Sequence, residues 1–235
     1  MHLDGAGKTK SAFTYGGGIS HSPVRVRHRS NGNYIVAGSV LSNGSTFGTG
    51  GTVIKTSFSF DAIFLAELTG AGANVKTLTF DQNPAHSAGL GTLGGVAVGA
   101  DRVVVNGAVM QGPSPYHAGT DLGSGTATQG VFVASFDSDL TWRWDLAPSG
   151  FGVRSMAVTP AGAVVVAGSS NGVGVLTSYD SQGGVQPVTY YPHTDPTVVA
   201  AAPGGSVVFA ARYEPGASLG SGPLTSSGWA IVKTP

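Results

Sequence analysis

Short apolar runs rich in β-branched residues recur along the whole chain, each closed by glycine, serine, asparagine or aspartate. Four of them share one form. Residues 29–38 read RSNGNYIVAG, 98–107 VGADRVVVNG, 159–168 TPAGAVVVAG and 202–211 APGGSVVFAA. Each has a turn bearing Gly or Asp, then a β-branched run that ends in small residues. Each is preceded by an alternating or small-apolar segment, as in Val24-Arg25-Val26-Arg27 or Met156-Ala157-Val158. Strand, tight turn, strand is the structure this pattern predicts. No window carries a sustained helical period with a cap, so no helix is predicted.

A second pattern follows three of these hairpins. Phe47-Gly48-Thr49-Gly50, Leu122-Gly123-Ser124-Gly125 and Leu219-Gly220-Ser221-Gly222 are each apolar-Gly-small-Gly. They lead into further predicted strands at 62–68, 131–136 and 229–233. The third copy is abbreviated, passing through Asn171-Gly172 directly to a strand at 175–179. A last strand is predicted at 75–80, 141–146 and 185–191. Each repeat therefore has four strands, a to d, a signature of propeller blades.

The predicted fold is all-β: one small β-propeller domain spanning 1–235, with four blades of four antiparallel strands. The repeats run about 21–80, 81–146, 147–191 and 192–235. The fourth lacks a d strand. Asp4-Gly5-Ala6-Gly7 resembles Thr69-Gly70-Ala71-Gly72, so the N-terminal segment 1–20, with its strand at 11–15, is expected to complete the last blade. Such pairing would satisfy the exposed backbone groups of an open edge. The alternative is that the chain is a piece of a larger propeller.

Residues 31–38 (NGNYIVAG), 61–68 (DAIFLAEL) and 219–233 (LGSGPLTSSGWAIVK) resemble the repeat of bacterial surface propeller proteins of the SBBP type. The third repeat departs from that pattern by lacking the Gly-rich middle segment. The resemblance implies the propeller architecture and a secreted or surface-attached bacterial protein; it implies no activity.

Charge narrows the partners. Twelve basic residues balance twelve acidic ones, and only 10% of residues are charged. A chain without net charge exerts no long-range pull on phosphate, which argues against nucleic acid and anionic membranes. No apolar run approaches the roughly 20 residues of a membrane helix, so membrane insertion is not expected. There is no cysteine, which excludes disulfides and thiolate metal sites and fits an exported bacterial protein. The first ten residues lack the apolar core of a signal peptide, so an export signal is not expected within this chain.

No catalytic motif, phosphate loop or calcium loop is present, and neither cofactor nor metal is assigned. The candidate ligand-binding residues fall in three groups. His21, His86 and His193 occupy segments that lead from strand d of one repeat to strand a of the next, near one predicted mouth of the channel. Arg25 and Arg27, alternating with Val26 on the first a strand, share a face that would offer an anion positive charge; Arg29 continues the alternation. Tyr116 and His117 lie in the second long b–c connection, 111–130, which with 41–60 is expected to be ordered against something because such long structureless loops are unusual. Trp142 and Trp144 alternate on a d strand and are read as packing between blades.

These features favour a non-catalytic extracellular or cell-surface binding or structural module whose partner is a protein or a surface polymer. A lectin-like carbohydrate binder is the alternative. A propeller enzyme with a site at the channel mouth is the third class, and only the histidines point to it.

Overall fold

The computed structural model describes residues 2–3, 9–11, 25–40, 46–51, 62–80, 91–109, 120–125, 127–128, 130–220 and 222–234. All of its regular structure is β. In chain order the strands are β1 (His2–Leu3), β2 (Thr9–Ser11), β3 (Arg25–His28), β4 (Tyr34–Val40), β5 (Ala62–Leu68), β6 (Asn74–Phe80), β7 (Gly91–Val98), β8 (Arg102–Val109), β9 (Thr120–Asp121) and β10 (Ala127–Thr128). They continue with β11 (Gly130–Asp137), β12 (Trp142–Leu146), β13 (Gly152–Val158), β14 (Val164–Ser170), β15 (Val173–Tyr179), β16 (Thr189–Pro192), β17 (Thr194–Ala201), β18 (Val207–Tyr213) and β19 (Gly228–Thr234).

Four antiparallel meanders carry the fold: β3-β4-β5-β6, β7-β8-β11-β12, β13-β14-β15-β16 and β17-β18-β19. The expected repeat is therefore a physical unit. Three sheets have the four strands anticipated, and the fourth has three among the described residues. The expected closing strand at 11–15 lies outside the described residues beyond Ser11, which pairs with His2 in the small β1–β2 hairpin. That hairpin copies the register of β5–β6: Leu3 faces Thr9 as Leu68 faces Asn74, with a shift at the same place. The sequence likeness of 4–7 to 69–72 thus falls between paired strands in both places, and residues 4–7 themselves lie outside the described residues.

The local chemistry of the hairpins follows the sequence. Arg29, Thr159 and Ala202 each donate their N–H to the carbonyl four residues on, and Gly32, Gly162 and Gly205 close the turns at positive φ. Glycine occupies that conformation without the Cβ clash other residues meet. The first strand of three sheets is bulged at one equivalent point, between Leu93 and Gly95, Val153 and Ser155, and Pro196 and Val198. There the bulged strand presses on its neighbour. A Cβ on Gly168 would lie 2.1 Å from the carbonyl oxygen of Gly152. At Gly168 the missing side chain meets the requirement of this bulge, and Gly107 and Ala211 stand at the equivalent point of their sheets.

One expected strand is shorter than its segment. In the third repeat only Thr189–Pro192 forms β16, and Val185 makes an isolated bridge to Tyr179. Pro187, which has no N–H to give to a ladder, separates the two.

Successive sheets stack face to face. Ile35, Ile63 and Leu65 of the first meet Val103, Val105, Phe132 and Phe136 of the second in one buried cluster. Val104 and Val133 meet Met156, Val164 and Val166 of the third, whose Val165 and Ala167 meet Val207 and Phe209 of the fourth. The alternation of each strand thus feeds two cores, one on either face. Neighbouring first strands also touch, β3 with β7, β7 with β13, and β13 with β17. The far face of the fourth sheet carries Val198, Trp229 and Ile231, exposed by 56%, 67% and 80%. Trp144 is buried against Tyr179 with ring centroids 6.0 Å apart, and Trp142 packs beside it, as expected of residues between sheets.

Candidate functional site

The turns after the first strand of all four sheets meet. A depression of about 330 Å³ is lined by Ser30 from the first, Ala100 from the second, Pro160 from the third and Pro203 from the fourth. His28 completes its rim and sets its ring edge-on to Tyr34, centroids 5.2 Å apart. This end offers small apolar groups and one imidazole.

His193 lies at the opposite end of its sheet. It immediately precedes β17, whose eight residues span about 26 Å and end at the depression. Its backbone is left-handed, at φ 57°, where the chain turns from β16 into β17, and its carbonyl accepts the N–H of Glu214 at 2.9 Å. The exposed imidazole joins Asp195, Arg212 and Glu214 around a cavity of about 240 Å³. One carboxylate oxygen of Asp195, Oδ1, is shielded from solvent and has no hydrogen bond; Arg154 Nε stands 3.9 Å away. The cavity can hold a small polar group between charges of both signs.

The other named candidates divide. Arg25 donates from Nε to the carbonyl of Gly94 at 3.1 Å and so ties the first strands of two sheets together. Arg27 is exposed and donates to the neighbouring carbonyl of Val26. Arg29 leaves their face, for it lies past the end of β3 and is buried against Glu67, 3.0 Å from Oε2. It also donates to the carbonyl of Ser138 in the next sheet at 2.6 Å. The expected alternation fails there because the strand stops at His28 and the turn redirects the chain. His21, His86, Tyr116 and His117 lie outside the described residues.

A second ionic cluster, not anticipated from the sequence, joins the second sheet's turns. Arg102 is almost fully buried and donates to Asp101 from Nε and Nη2. Arg143 bonds Asp137 and approaches Asp101 at 3.8 Å. The hydrogen bond from Arg102 holds the Asp101 carboxyl below its ordinary value. Burial raises the phenols of Tyr179 and Tyr191. Among the described residues no group of three or more His, Asp or Glu is arranged to hold a metal ion, and no helix is long and apolar enough to cross a membrane.

A third cavity, about 510 Å³, is a cleft between the end of the second sheet and the third strand of the third. Val173, Val175, Thr177 and Tyr179, alternate residues of β15, form its floor. Exposed Val185 and Tyr190 stand at its rim. The abbreviated b–c connection of the third repeat was the sequence signal for it.

No protein-family model matches the chain, and no curated protein matches its sequence. The likeness to SBBP-type repeats therefore rests on the quoted motifs alone. Among solved structures the chain is similar to a protein of unknown function from Bacteroides caccae, with a TM-score of 0.41 and 11% identity over 82% of this chain and 58% of that one. It is also similar to a Dos1 propeller, with a TM-score of 0.39 and 11% identity over 77% of this chain and 48% of that one. The chain thus matches about half the length of each.

Proposed function

We propose that the four sheets are blades of a β-propeller and that the chain serves as a non-catalytic binding or structural module of an exported bacterial protein. The observation that carries this reading is the depression at which the four equivalent turns converge. Four strands that end around one point, each heading its own sheet, are the arrangement of blades about an axis. The face-to-face stacking of successive sheets accords with it.

Three ion pairs support a module without catalysis. Arg29 with Glu67, Arg102 with Asp101, and Arg143 with Asp137 are spent tying turns to strands. Partners are then met through surface clefts, and a protein or surface polymer suits a chain of balanced charge better than a nucleic acid does.

Three measurements test the reading. Small-angle scattering is expected to give a compact disc with a radius of gyration near ~18 Å; an elongated stack of sheets overturns the propeller. Fractionation of source cells is expected to place the chain in the medium or among proteins shaved from intact cells, and recovery from the cytosol alone overturns export. A glycan array is expected to be blank, and a saturable signal on a defined glycan replaces the protein-binding reading with a lectin.

A further inference from the structure

The apolar-Gly-small-Gly segments have a structural meaning in the first two sheets. Phe47 is buried and stacks on Phe64 of β5, centroids 3.9 Å apart. Gly48 then passes so close to the c–d turn that a Cβ there would lie 2.7 Å from the carbonyl oxygen of Gly72. Thr49 donates its N–H to that carbonyl and accepts the N–H of Asn74, both at 3.0 Å, and Asn74 Nδ2 donates to the carbonyl of Phe47 at 2.7 Å. In the second sheet Leu122 is fully buried in the cluster that holds Phe132 and Phe136. A Cβ on Gly123 would lie 2.8 Å from Cβ of Trp142. In both sheets an apolar plug covers strand c, and a glycine lets the backbone rest on the start of strand d.

The third sheet has the receptor without the plug. Gly38, Gly107 and Gly168 face Phe64, Phe132 and Val175 across their ladders, so these three c-strand positions are equivalent. Leu68, Phe136 and Tyr179 are likewise equivalent, opposite Tyr34, Val103 and Val164. The c–d turn is the same: Asp180 donates to Gly184 and Gly183 to Asp180, as Thr69 donates to Ala73 and Gly72 to Thr69. Yet strands b and c are joined by Asn171 and Gly172 alone, at φ 50° and 77°, a pair suited to a two-residue hairpin turn. Trp144 and Phe151 close over Gly183 and Gly168 from the side of the second sheet, and the cleft of about 510 Å³ remains along Val173, Val175 and Tyr179. The Gly183 carbonyl and Val185 N–H, equivalent to the groups that hold Thr49, have no hydrogen bond among the described residues.

We infer that this cleft is the docking site for a peptide segment of another protein, carrying an apolar side chain followed by Gly-Ser/Thr-Gly. The inference builds on the binding-module reading and names its partner's chemistry. The plugs of the first two sheets supply the template: the apolar side chain enters between Val175 and Val185, and the residue after the glycine pairs its backbone with Gly183 and Val185. A recognition that combines backbone pairing with one side-chain pocket is that of β-strand addition.

The test uses the full chain and a capped peptide with the sequence of residues 46–51, TFGTGG. Expected are saturable amide shifts confined to Val173, Val175, Tyr179 and Val185, weakened at least about tenfold when the peptide's Phe is replaced by Ala. Val185→Pro, which removes the donor N–H from an exposed position, is expected to weaken the same titration. Grafting residues 46–51 between Asn171 and Gly172 through Gly-Ser linkers supplies the peptide at high effective concentration. It is expected to protect the Val185 amide from hydrogen exchange and to abolish binding of the free peptide. Equal binding of the Ala peptide, shifts away from the cleft, or a graft that leaves Val185 exchange unchanged would each overturn the inference. None of these outcomes bears on the scattering, fractionation or glycan results that test the module itself.

Discussion

Phe47 stacks on Phe64 with ring planes 21° apart, although Phe47 lies in a connecting segment and Phe64 in the middle of a strand. Both are buried, and with Val36, Ala66 and Leu68 they form a separate small core on the first sheet. Removing a fully buried aromatic ring forfeits its transfer energy and leaves a cavity. Phe47→Ala is expected to cost about 3–5 kcal/mol, and Leu122→Ala about 2–5 kcal/mol. Leu219, only half-buried, is expected to cost less than either when cut to Ala. Urea unfolding of the three variants checks the order. A Phe47 variant as stable as the parent would show that the segment adds nothing to the fold.

Arg29 and Glu67 are each only 7% exposed, with 3.0 Å between Nη1 and Oε2. Glu67 also accepts from Asn33 Nδ2 at 2.7 Å, and Arg29 reaches Ser138 of the second sheet. The pair therefore pins a turn to a strand and one sheet to the next. Removing one member strands the other in a dry place. Arg29→Met and Glu67→Leu are each expected to cost about 3–5 kcal/mol, whereas the double variant is expected to lose far less than their sum. A denaturation cycle measures the coupling, and simple additivity would show that the two charges do not depend on each other.

The repeat and its strands were legible because strand a, turn and strand b are local and their alternation is regular, as in 159–168. The apolar-Gly-small-Gly pattern was also visible, but its reason was not. That Phe47 turns inward while Gly48 rests on Gly72 depends on a contact between segments 24 residues apart. The arginine row misled for a related reason. Arg25, Arg27 and Arg29 alternate in sequence, but a strand's period holds only while the strand lasts, and β3 ends at His28. The Asp101, Arg102 and Arg143 cluster was illegible because its members come from a turn, a strand start and a different strand.

Asp101 gives the acid response a sign. Its carboxyl is held below 3.8 by hydrogen bonding to Arg102 and then by the nearby charges. A carboxyl depressed on folding stabilises the protein above its unfolded pKa and loses that contribution as pH falls through the folded one. Melting temperature is therefore expected to fall as pH drops below about 4, and Asp101→Asn to make that fall shallower. Asp139, lowered by hydrogen bonds from Thr141, acts in the same direction. Melting curves across the acid range check this, and an Asn variant with an unchanged slope would remove Asp101 from the account.

The last prediction contrasts two glycines of neighbouring repeats. Gly168 sits opposite the bulge of β13, where an added Cβ would meet the Gly152 carbonyl oxygen at 2.1 Å and the ring of Phe151 at 2.8 Å. The oxygen is backbone and belongs to a paired strand, so it cannot move aside as a flexible side chain would. Gly204 lies in the following a–b turn with nothing within 4 Å of such a Cβ and no left-handed φ. Gly168→Ala is expected to destabilise by more than about 2 kcal/mol through overpacking, and to disturb the first strand of its sheet. Gly204→Ala is expected to be neutral or to stabilise by about 0.4–1 kcal/mol, because the unfolded chain loses freedom. Thermal unfolding of the pair decides the matter. Equal effects would mean that the bulge of β13 yields to the added methyl and that the glycine ending the motif reflects something other than backbone approach.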